Sequence, residues 1–185
     1  MDKPLLVVVT GSPASGKSTL AHILARKINC PLVSRDELKE GLINTLGVSH
    51  SQLNKPIDLQ VYEIFFETIA LLLSKGISLV IEAAFQDKLW RPKLTNLLQQ
   101  ATIRIIVCKT DTALIRERFA TRLLNNPGRE QFHGDQSLNE EQFALLIENY
   151  QPVNMEIPTL QVDTTNQYNP DMEVVIQFVK QHNGI

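Results

Sequence analysis

A glycine-bounded turn between an apolar segment and an amphipathic segment constrains the fold of this 185-residue chain more than any other feature. Residues 5–9 are all apolar, and residues 11–18, Gly-Ser-Pro-Ala-Ser-Gly-Lys-Ser, fit the pattern G-x-x-x-x-G-K-[ST] in full. Leu20, Ile23 and Leu24 follow at helical spacing. The pattern therefore stands between a predicted strand and a predicted helix, which is the context that a phosphate-binding loop (P-loop) requires.

Each part of the loop has a physical role in binding a triphosphate. Gly11 and Gly16 let the backbone turn so that successive N–H groups face the phosphates, and the helix that opens near Lys17 adds unpaired N–H groups. Lys17 reaches the β- and γ-phosphates, while the Ser18 hydroxyl binds Mg²⁺. ATP and Mg²⁺ are therefore the predicted cofactors, bound by Gly11, Ser12, Pro13, Ala14, Ser15, Gly16, Lys17, Ser18 and Thr19.

Apolar β-branched runs alternate with segments of helical period along the rest of the chain. This alternation is typical of an α/β protein with a parallel sheet, and the length suits one domain over residues 1–185. Strands are predicted at residues 5–10, 31–34, 77–81, 103–108 and 160–163. Helices are predicted at residues 17–28, 35–44, 57–74, 90–100 (with Pro92 in the first turn), 111–124 (capped by Asp111), 139–150 (capped by Asn139) and from Pro170 onward.

Composition narrows the range of partners. Lys and Arg number 18 and Asp and Glu number 20, so the net charge of −2 gives no global reason to expect binding to nucleic acid or to an anionic membrane. The first apolar run is too short to span a bilayer and follows Asp2 rather than a basic leader. The expected location is the cytosol, with Cys30 and Cys108 as buried reduced thiols.

Two carboxylates follow predicted strands at the edge of the sheet where open α/β sheets bind ligands. Asp36 follows the second strand and is a candidate base that accepts the proton of an acceptor hydroxyl, or else it begins a helix. Glu82 ends the third strand, where a carboxylate holds Mg²⁺ through water, or else it is a solvated strand end.

Arginines are concentrated between the fourth strand and a glycine-containing loop. Arg118 and Arg122 are four residues apart and share a helix face, where like charges repel unless an anion neutralises them. We assign Arg118 to stacking on adenine, and Arg122 and Arg129 to clamping the phosphates. Residues 125–137 are predicted to act as a lid that excludes water from the reaction.

The acceptor is expected to bind between residues 39 and 62. Arg35 and Lys39 flank Asp36 and are suited to an anionic group, with further contacts from Phe85, Trp90 and Arg91. The candidate substrate-binding residues are Arg35, Asp36, Lys39, Phe85 and Arg91. The sequence carries no signal for oligomeric state.

Four pieces of the chain together resemble the small P-loop kinases, which include gluconate and shikimate kinases: residues 11–19, 34–39, 80–83, and Arg118 with Arg122. The resemblance is greatest to the branch of chloramphenicol phosphotransferase, zeta toxins and the 5′-kinase domain of polynucleotide kinase. It implies a three-layer α/β fold with a parallel five-stranded sheet of order 2-3-1-4-5 and helices on both faces. It also implies that Asp36 is the base and that the loop containing Thr164 lies near the adenine.

The expected function is ATP-dependent transfer of the γ-phosphate to a hydroxyl group of a small molecule. The expected catalytic residues are Lys17, Asp36, Arg122 and Arg129, with Ser18 and Glu82 as metal-binding residues. Lys39 stands where polynucleotide kinases carry an arginine, and a lysine cannot form the same two-pronged contact with phosphate. Nucleic acid is thus the less favoured acceptor. Polynucleotide 5′-hydroxyl phosphorylation and a regulatory ATPase without an acceptor are the two alternatives.

Overall fold

A computed structural model describes residues 3–48, 55–125, 132 and 140–181 of the chain. The strands are β1 (Leu5–Gly11), β2 (Leu32–Ser34), β3 (Leu79–Glu82), β4 (Thr102–Lys109) and β5 (Thr159–Asp163). The helices are α1 (Lys17–Lys27), α2 (Arg35–Leu46), α3 (Lys55–Ser74), α4 (Asp87–Leu97), α5 (Thr112–Asn125), α6 (Glu140–Glu148) and α7 (Met172–Lys180). No helix in this described part of the chain is both long and apolar enough to cross a membrane.

The strands form one parallel sheet of order β2-β3-β1-β4-β5, which confirms the predicted order. β1 lies in the middle, with Val8 level with Ile81 of β3 on one side and Ile105 of β4 on the other. Since the strands are parallel, their carboxyl ends share one edge. The loops after β1, β2, β3 and β5 therefore lie along the same edge of the sheet.

Alternation of side chains along the strands divides the core into two layers. Leu6 and Val8 face a layer that includes α3 and α4, and Val7 and Val9 face one that includes α1 and α7. All four side chains are fully buried. Both faces of the central strand are therefore apolar, as expected for a parallel sheet covered by helices on both sides.

The third strand begins later than its sequence predicts. Gly76 has a φ of +74°, and its N–H donates to the carbonyl of Leu73 while the N–H of Ile77 donates to Leu72. This is the hydrogen-bond pattern that closes a helix with a left-handed glycine. Ile77 therefore belongs to the turn that closes α3 and is 39% exposed, and the strand starts at Leu79.

Three predicted helix starts are wrong by two or three residues, and α3 begins at Lys55 rather than at residue 57. α4 begins at Asp87 because the Gln86 carbonyl accepts from the N–H groups of Leu89 and Trp90, so Pro92 lies in the second turn. α7 begins after Asp171, whose side chain accepts from Val174 N–H at 3.0 Å, and not at Pro170.

The predicted cap of α5 is confirmed. The Asp111 carboxylate accepts from Ala113 N–H at 2.7 Å, which satisfies one of the donors left unpaired at a helix start. Asn139, the predicted cap of α6, lies outside the described residues, as does the greater part of the predicted lid.

Candidate active site

The phosphate-binding loop occupies the turn between β1 and α1, as predicted. Gly16 precedes α1 with a φ of +79°, a left-handed conformation that favours glycine. A Cβ on Gly11 would contact the Ser15 hydroxyl and would lie 2.6 Å from the carbonyl oxygen of Cys108 in β4. Both glycines of the motif are thus required by the geometry, one by its backbone angle and the other by the close approach of the neighbouring strand.

Lys17 lies at the start of α1 and pairs with the last residue of β3. Its Nζ is 3.7 Å from Oε1 of Glu82, and the two side chains are only 8% and 2% exposed. Ser34, at the end of β2, donates to Oε2 of Glu82 at 3.0 Å. Glu82 is therefore buried between the P-loop and the second strand, and is not the solvated strand end that the sequence left open.

The residues at this edge are compatible with Mg²⁺ bound largely by phosphate. Ser18 is an exposed residue in the first turn of α1, and Oε1 of Glu82 accepts no hydrogen bond from the described residues. Within the same part of the chain, no three His, Cys, Asp or Glu side chains form a cluster that would hold a metal ion. Mg²⁺ commonly uses one or two protein ligands together with substrate phosphates, so this donor set fits it.

A groove of about 640 Å³ opens beside the P-loop. It is lined by Ala14, Gly16, Thr19, Arg118, Thr164, Gln167 and Tyr168. The sequence predicted five of these residues; Gln167 and Tyr168 were missed, because nothing in the polar loop after β5 distinguishes them before the fold is known.

Thr164 joins three parts of this groove. Its hydroxyl donates to the carbonyl oxygen of Ser15 at 2.8 Å, and its own carbonyl accepts from the Arg118 guanidinium at 2.6 Å. A second nitrogen of Arg118 is 3.3 Å from the Thr164 hydroxyl oxygen. The guanidinium is thereby oriented against the loop after β5, where it lines the groove.

A group of four charged residues lies at the start of α2 and the start of α3. Arg35 contacts Oδ1 of Asp36 at 3.2 Å and Oδ1 of Asp58 at 3.1 Å, and Lys39 Nζ lies 3.2 Å from the same oxygen of Asp58. The fold thus brings together three predicted residues, Arg35, Asp36 and Lys39. We call these four residues the charged cluster.

Asp58 is the member of this cluster that sequence reasoning missed. An acid in the first turn of a predicted helix is explained by the helix dipole alone, so it gave no signal of a partner. Burial acts to raise the pKa of Asp58, but the adjacent Lys39 ammonium and Arg35 guanidinium outweigh it and lower the pKa from its ordinary 3.8. Asp58 is therefore ionised at neutral pH.

Phe85 and Arg91, the other two predicted substrate-binding residues, contact residues outside the charged cluster. Phe85 is half-buried and packs edge-on against Tyr62 and Trp90, with ring centroids 5.4 and 5.2 Å apart. Arg91 donates to Asp87 at 2.7 Å and lines a separate groove of about 870 Å³ with Tyr150 and Met155. Trp90 is fully buried, so it is a core residue rather than a residue of an open pocket.

Thr10, the last residue before the P-loop, is the centre of a buried hydrogen-bond network. Its hydroxyl donates to the Ala83 carbonyl at 2.9 Å and accepts from Trp90 Nε1 at 3.1 Å. The Tyr150 hydroxyl lies 2.9 Å from the same oxygen. The loop, the end of β3 and the end of α6 are thus connected directly behind the phosphate site.

The two remaining predicted arginines are not described at the level of side chains. Arg122 lies in α5, four residues after Arg118, and Arg129 lies outside the described residues. Their predicted contacts with phosphate stay predictions.

The fold and the site define a P-loop kinase-like nucleotide-binding protein. The chain belongs to the family described as an AAA domain, whose sequence model matches residues 6–153. No curated protein gives a significant match to the sequence.

Solved structures agree with this assignment. A kinase candidate from Chloroflexus aurantiacus is 29% identical, with a TM-score of 0.85 over 99% of this chain and 100% of that chain. APS kinase of Mycobacterium tuberculosis, solved with AMPPNP and APS, is 16% identical with a TM-score of 0.66, over 98% and 100% of the two chains. A gluconokinase from Sinorhizobium meliloti is 14% identical with a TM-score of 0.58, over 97% and 91%. The last two likenesses show the fold.

Proposed function

We propose that this protein is an ATP-dependent kinase that transfers the γ-phosphate to a hydroxyl group of a small molecule. The observation that carries the proposal is the continuity between the P-loop and the charged cluster. Glu82 contacts Lys17 on one side and Ser34 on the other, and α2 begins at the residue after Ser34. Asp36 lies two residues after Ser34, in the first turn of α2, and we propose that the acceptor binds there, next to the phosphates.

The nucleotide is bound by two sets of groups. Backbone N–H groups of the P-loop and the start of α1 bind the phosphates, and Lys17 neutralises charge on the β- and γ-phosphates. Arg118 and Thr164 border the groove in which the nucleoside lies. Ser18, and Glu82 through water, would hold Mg²⁺, which would supply charge neutralisation on the phosphates.

Asp36 orients the acceptor hydroxyl and takes its proton as the new phosphate ester bond forms. The bond between the γ-phosphorus and the β,γ-bridging oxygen breaks in the same transfer, and ADP leaves. Phosphoryl transfer needs little covalent chemistry from the protein, so positioning and charge neutralisation account for most of the catalysis. Arg122 of α5 and Arg129, which follows α5 in the sequence, are proposed to contact the transferring phosphate.

The test is acceptor-stimulated ADP release from Mg·ATP, measured across a panel of hydroxylated metabolites. The proposal is supported if an acceptor stimulates ADP release and Asp36→Asn abolishes this stimulation without changing the affinity for the nucleotide. The control is Glu63→Gln, which changes an exposed acid on α3 and should keep the stimulated rate. ADP release that no acceptor stimulates would instead favour a regulatory ATPase. Full turnover by Asp36→Asn would contradict its role as the base.

A further inference from the structure

We infer that Ser34 is a positioning residue for the magnesium site, because its hydroxyl holds the Glu82 carboxylate with Oε1 directed toward Lys17 of the P-loop. This role rests on the proposed function, since it concerns the metal that accompanies the nucleotide in the same reaction. Loss of the Ser34 hydroxyl is then expected to weaken the effect of Mg²⁺ on nucleotide binding and to leave metal-free binding unchanged.

Ser34 and Glu82 end two adjacent parallel strands at the same level. The register of β2 and β3 places Leu32 beside Val80 and Ser34 beside Glu82. Leu32 and Val80 pack in the layer that contains α1, and side chains two residues apart on a strand point to the same face. The side chains of Ser34 and Glu82 therefore point toward α1, which begins with Lys17.

The Ser34 hydroxyl is directed away from the helix that it precedes. Ser34 is the N-cap residue of α2, where a serine side chain usually accepts a hydrogen bond from a backbone N–H of the first turn. It makes no such bond with α2 and instead donates to Oε2 of Glu82 at 3.0 Å. Both residues are buried. The fold therefore uses this hydroxyl to orient the carboxylate rather than to cap the helix.

The two oxygens of Glu82 have different surroundings. Oε2 accepts from Ser34, whereas Oε1 is buried and accepts no hydrogen bond from the described residues. Lys17 Nζ lies 3.7 Å from Oε1, a distance that gives an ion pair but is longer than a hydrogen bond. A buried oxygen that lacks a donor and lies next to the P-loop is a group whose hydrogen bonding a ligand would complete.

Nucleotide binding changes the balance of charge around Glu82. In the proposed reaction Lys17 neutralises the β- and γ-phosphates, so Glu82 has to share its cation with the nucleotide. A buried carboxylate that loses its cation is strongly unfavourable. Mg²⁺ held by Ser18 would supply positive charge in its place, and Oε1 is the Glu82 oxygen left to accept a hydrogen bond from water on the metal.

A hydrogen bond to one oxygen of a carboxylate fixes the direction of the other. Residues that orient metal-binding groups in this way commonly change metal affinity by about 10- to 100-fold when they are substituted. Without the Ser34 hydroxyl, Oε2 of Glu82 would lose its donor, and the carboxylate would no longer be held with Oε1 toward Lys17. Ser34 thus acts on the metal through Glu82.

The experiment measures the Kd of AMPPNP by calorimetry in EDTA and in Mg²⁺, and the ratio of the two values is the enhancement by Mg²⁺. For Ser34→Ala we expect this enhancement to fall by about tenfold, with the Kd in EDTA unchanged. Ser34→Cys has a similar volume and a much weaker donor, so it should lose enhancement in the same direction, and it replaces Ser34→Ala if that variant does not fold.

The matched control is Ser78→Ala, at the opposite end of β3. The Ser78 hydroxyl accepts from Leu5 N–H at 2.9 Å, far along the strand from Glu82, and its loss should leave the enhancement as in the wild type. Melting curves without nucleotide check that each variant is folded.

The double variant Ser34→Ala/Glu82→Gln shows whether Ser34 acts through Glu82. Glu82→Gln removes the carboxylate, so the enhancement should be equally low in this variant and in the double variant. An unchanged enhancement in the folded Ser34 variants, or additive losses from the two substitutions, would overturn the role of Ser34 while leaving the kinase function intact. Wild-type binding of AMPPNP that Mg²⁺ does not strengthen would contradict the metal site of the proposed function, and the role of Ser34 with it.

Discussion

The Thr164 hydroxyl donates a hydrogen bond of 2.8 Å to the carbonyl oxygen of Ser15, which joins the loop after β5 to the P-loop across 149 residues of sequence. The same threonine accepts from Arg118 through its carbonyl. The P-loop and Arg118, which lines the groove beside it, are thus joined through one residue. We expect loss of this bond to weaken nucleotide binding, because it holds the loop after β5 against the P-loop.

We therefore predict that Thr164→Val weakens binding of the ATP analogue AMPPNP by about threefold to tenfold, the equivalent of one net hydrogen bond. Calorimetry measures the effect. Thr159→Val, at the start of β5, removes a hydroxyl that bonds only locally to Ile157 among the described residues, and serves as the control. Equal affinities for the two variants would contradict the role given to Thr164.

The network around Thr10 gives a prediction about stability. Thr10→Val leaves the Trp90 indole N–H and the Ala83 carbonyl without their hydroxyl partner and removes one hydrogen bond of Tyr150. Each unpaired buried group is unfavourable. We expect a loss of about 2–4 kcal/mol in the free energy of unfolding, against about 1 kcal/mol for Tyr150→Phe. Urea unfolding measures both values. A smaller loss for Thr10→Val than for Tyr150→Phe would contradict the central position of Thr10.

The stability of the protein at alkaline pH is expected to depend on the raised pKa of the Tyr150 hydroxyl. Burial raises the pKa of its hydroxyl to about 12, although hydrogen bonds with Thr10 and with Gly11 N–H act to lower it. Because the folded pKa lies above the ordinary value of 10, the folded state binds this proton more tightly than the unfolded state. The resulting stability is fully present below pH 10 and is lost as pH rises toward 12.

The measurement is the free energy of unfolding across this pH range for the wild type and Tyr150→Phe. The difference between the two isolates the tyrosine from other groups, such as Cys108, whose pKa burial also raises to about 12. We expect the wild type to lose more stability than the variant as pH rises. Parallel curves would show that the Tyr150 hydroxyl titrates normally.

The sequence allowed the central elements of the fold to be predicted because their signals are local. The P-loop pattern occupies consecutive residues, and the apolar runs of β1, β3 and β4 stand out from their neighbours. The resemblance to small P-loop kinases supplied the strand order, which the structure confirms. Boundaries such as the start of α4 were missed because Gln86 begins the helix earlier than its apolar residues indicate.

Three of the four residues of the charged cluster were predicted from the sequence, and the fourth was missed for a physical reason. Arg35, Asp36 and Lys39 are neighbours on α2, whereas Asp58 reaches them only because α3 packs on α2. Tyr150 likewise contacts Thr10 across 140 residues. Pairings of this kind are created by tertiary packing, and neither spacing nor composition of a single sequence carries a signal for them.

The central claim is that the loop between β1 and α1 binds the phosphates of ATP through its backbone and Lys17. Lys17 balances the charge of the buried Glu82, so Lys17→Met alone would leave a buried carboxylate without its cation. The double variant Lys17→Met/Glu82→Gln removes both charges and is therefore studied beside it. Melting curves check that both variants are folded. Lys27→Met, at the exposed end of α1, is the matched control.

Calorimetry with AMPPNP and Mg²⁺ tests this claim most directly. We predict saturable binding of one nucleotide by the wild type and by Lys27→Met, and binding at least about tenfold weaker by both folded Lys17 variants. Absence of binding by the wild type, or equal affinity in the Lys17 variants, would contradict the account.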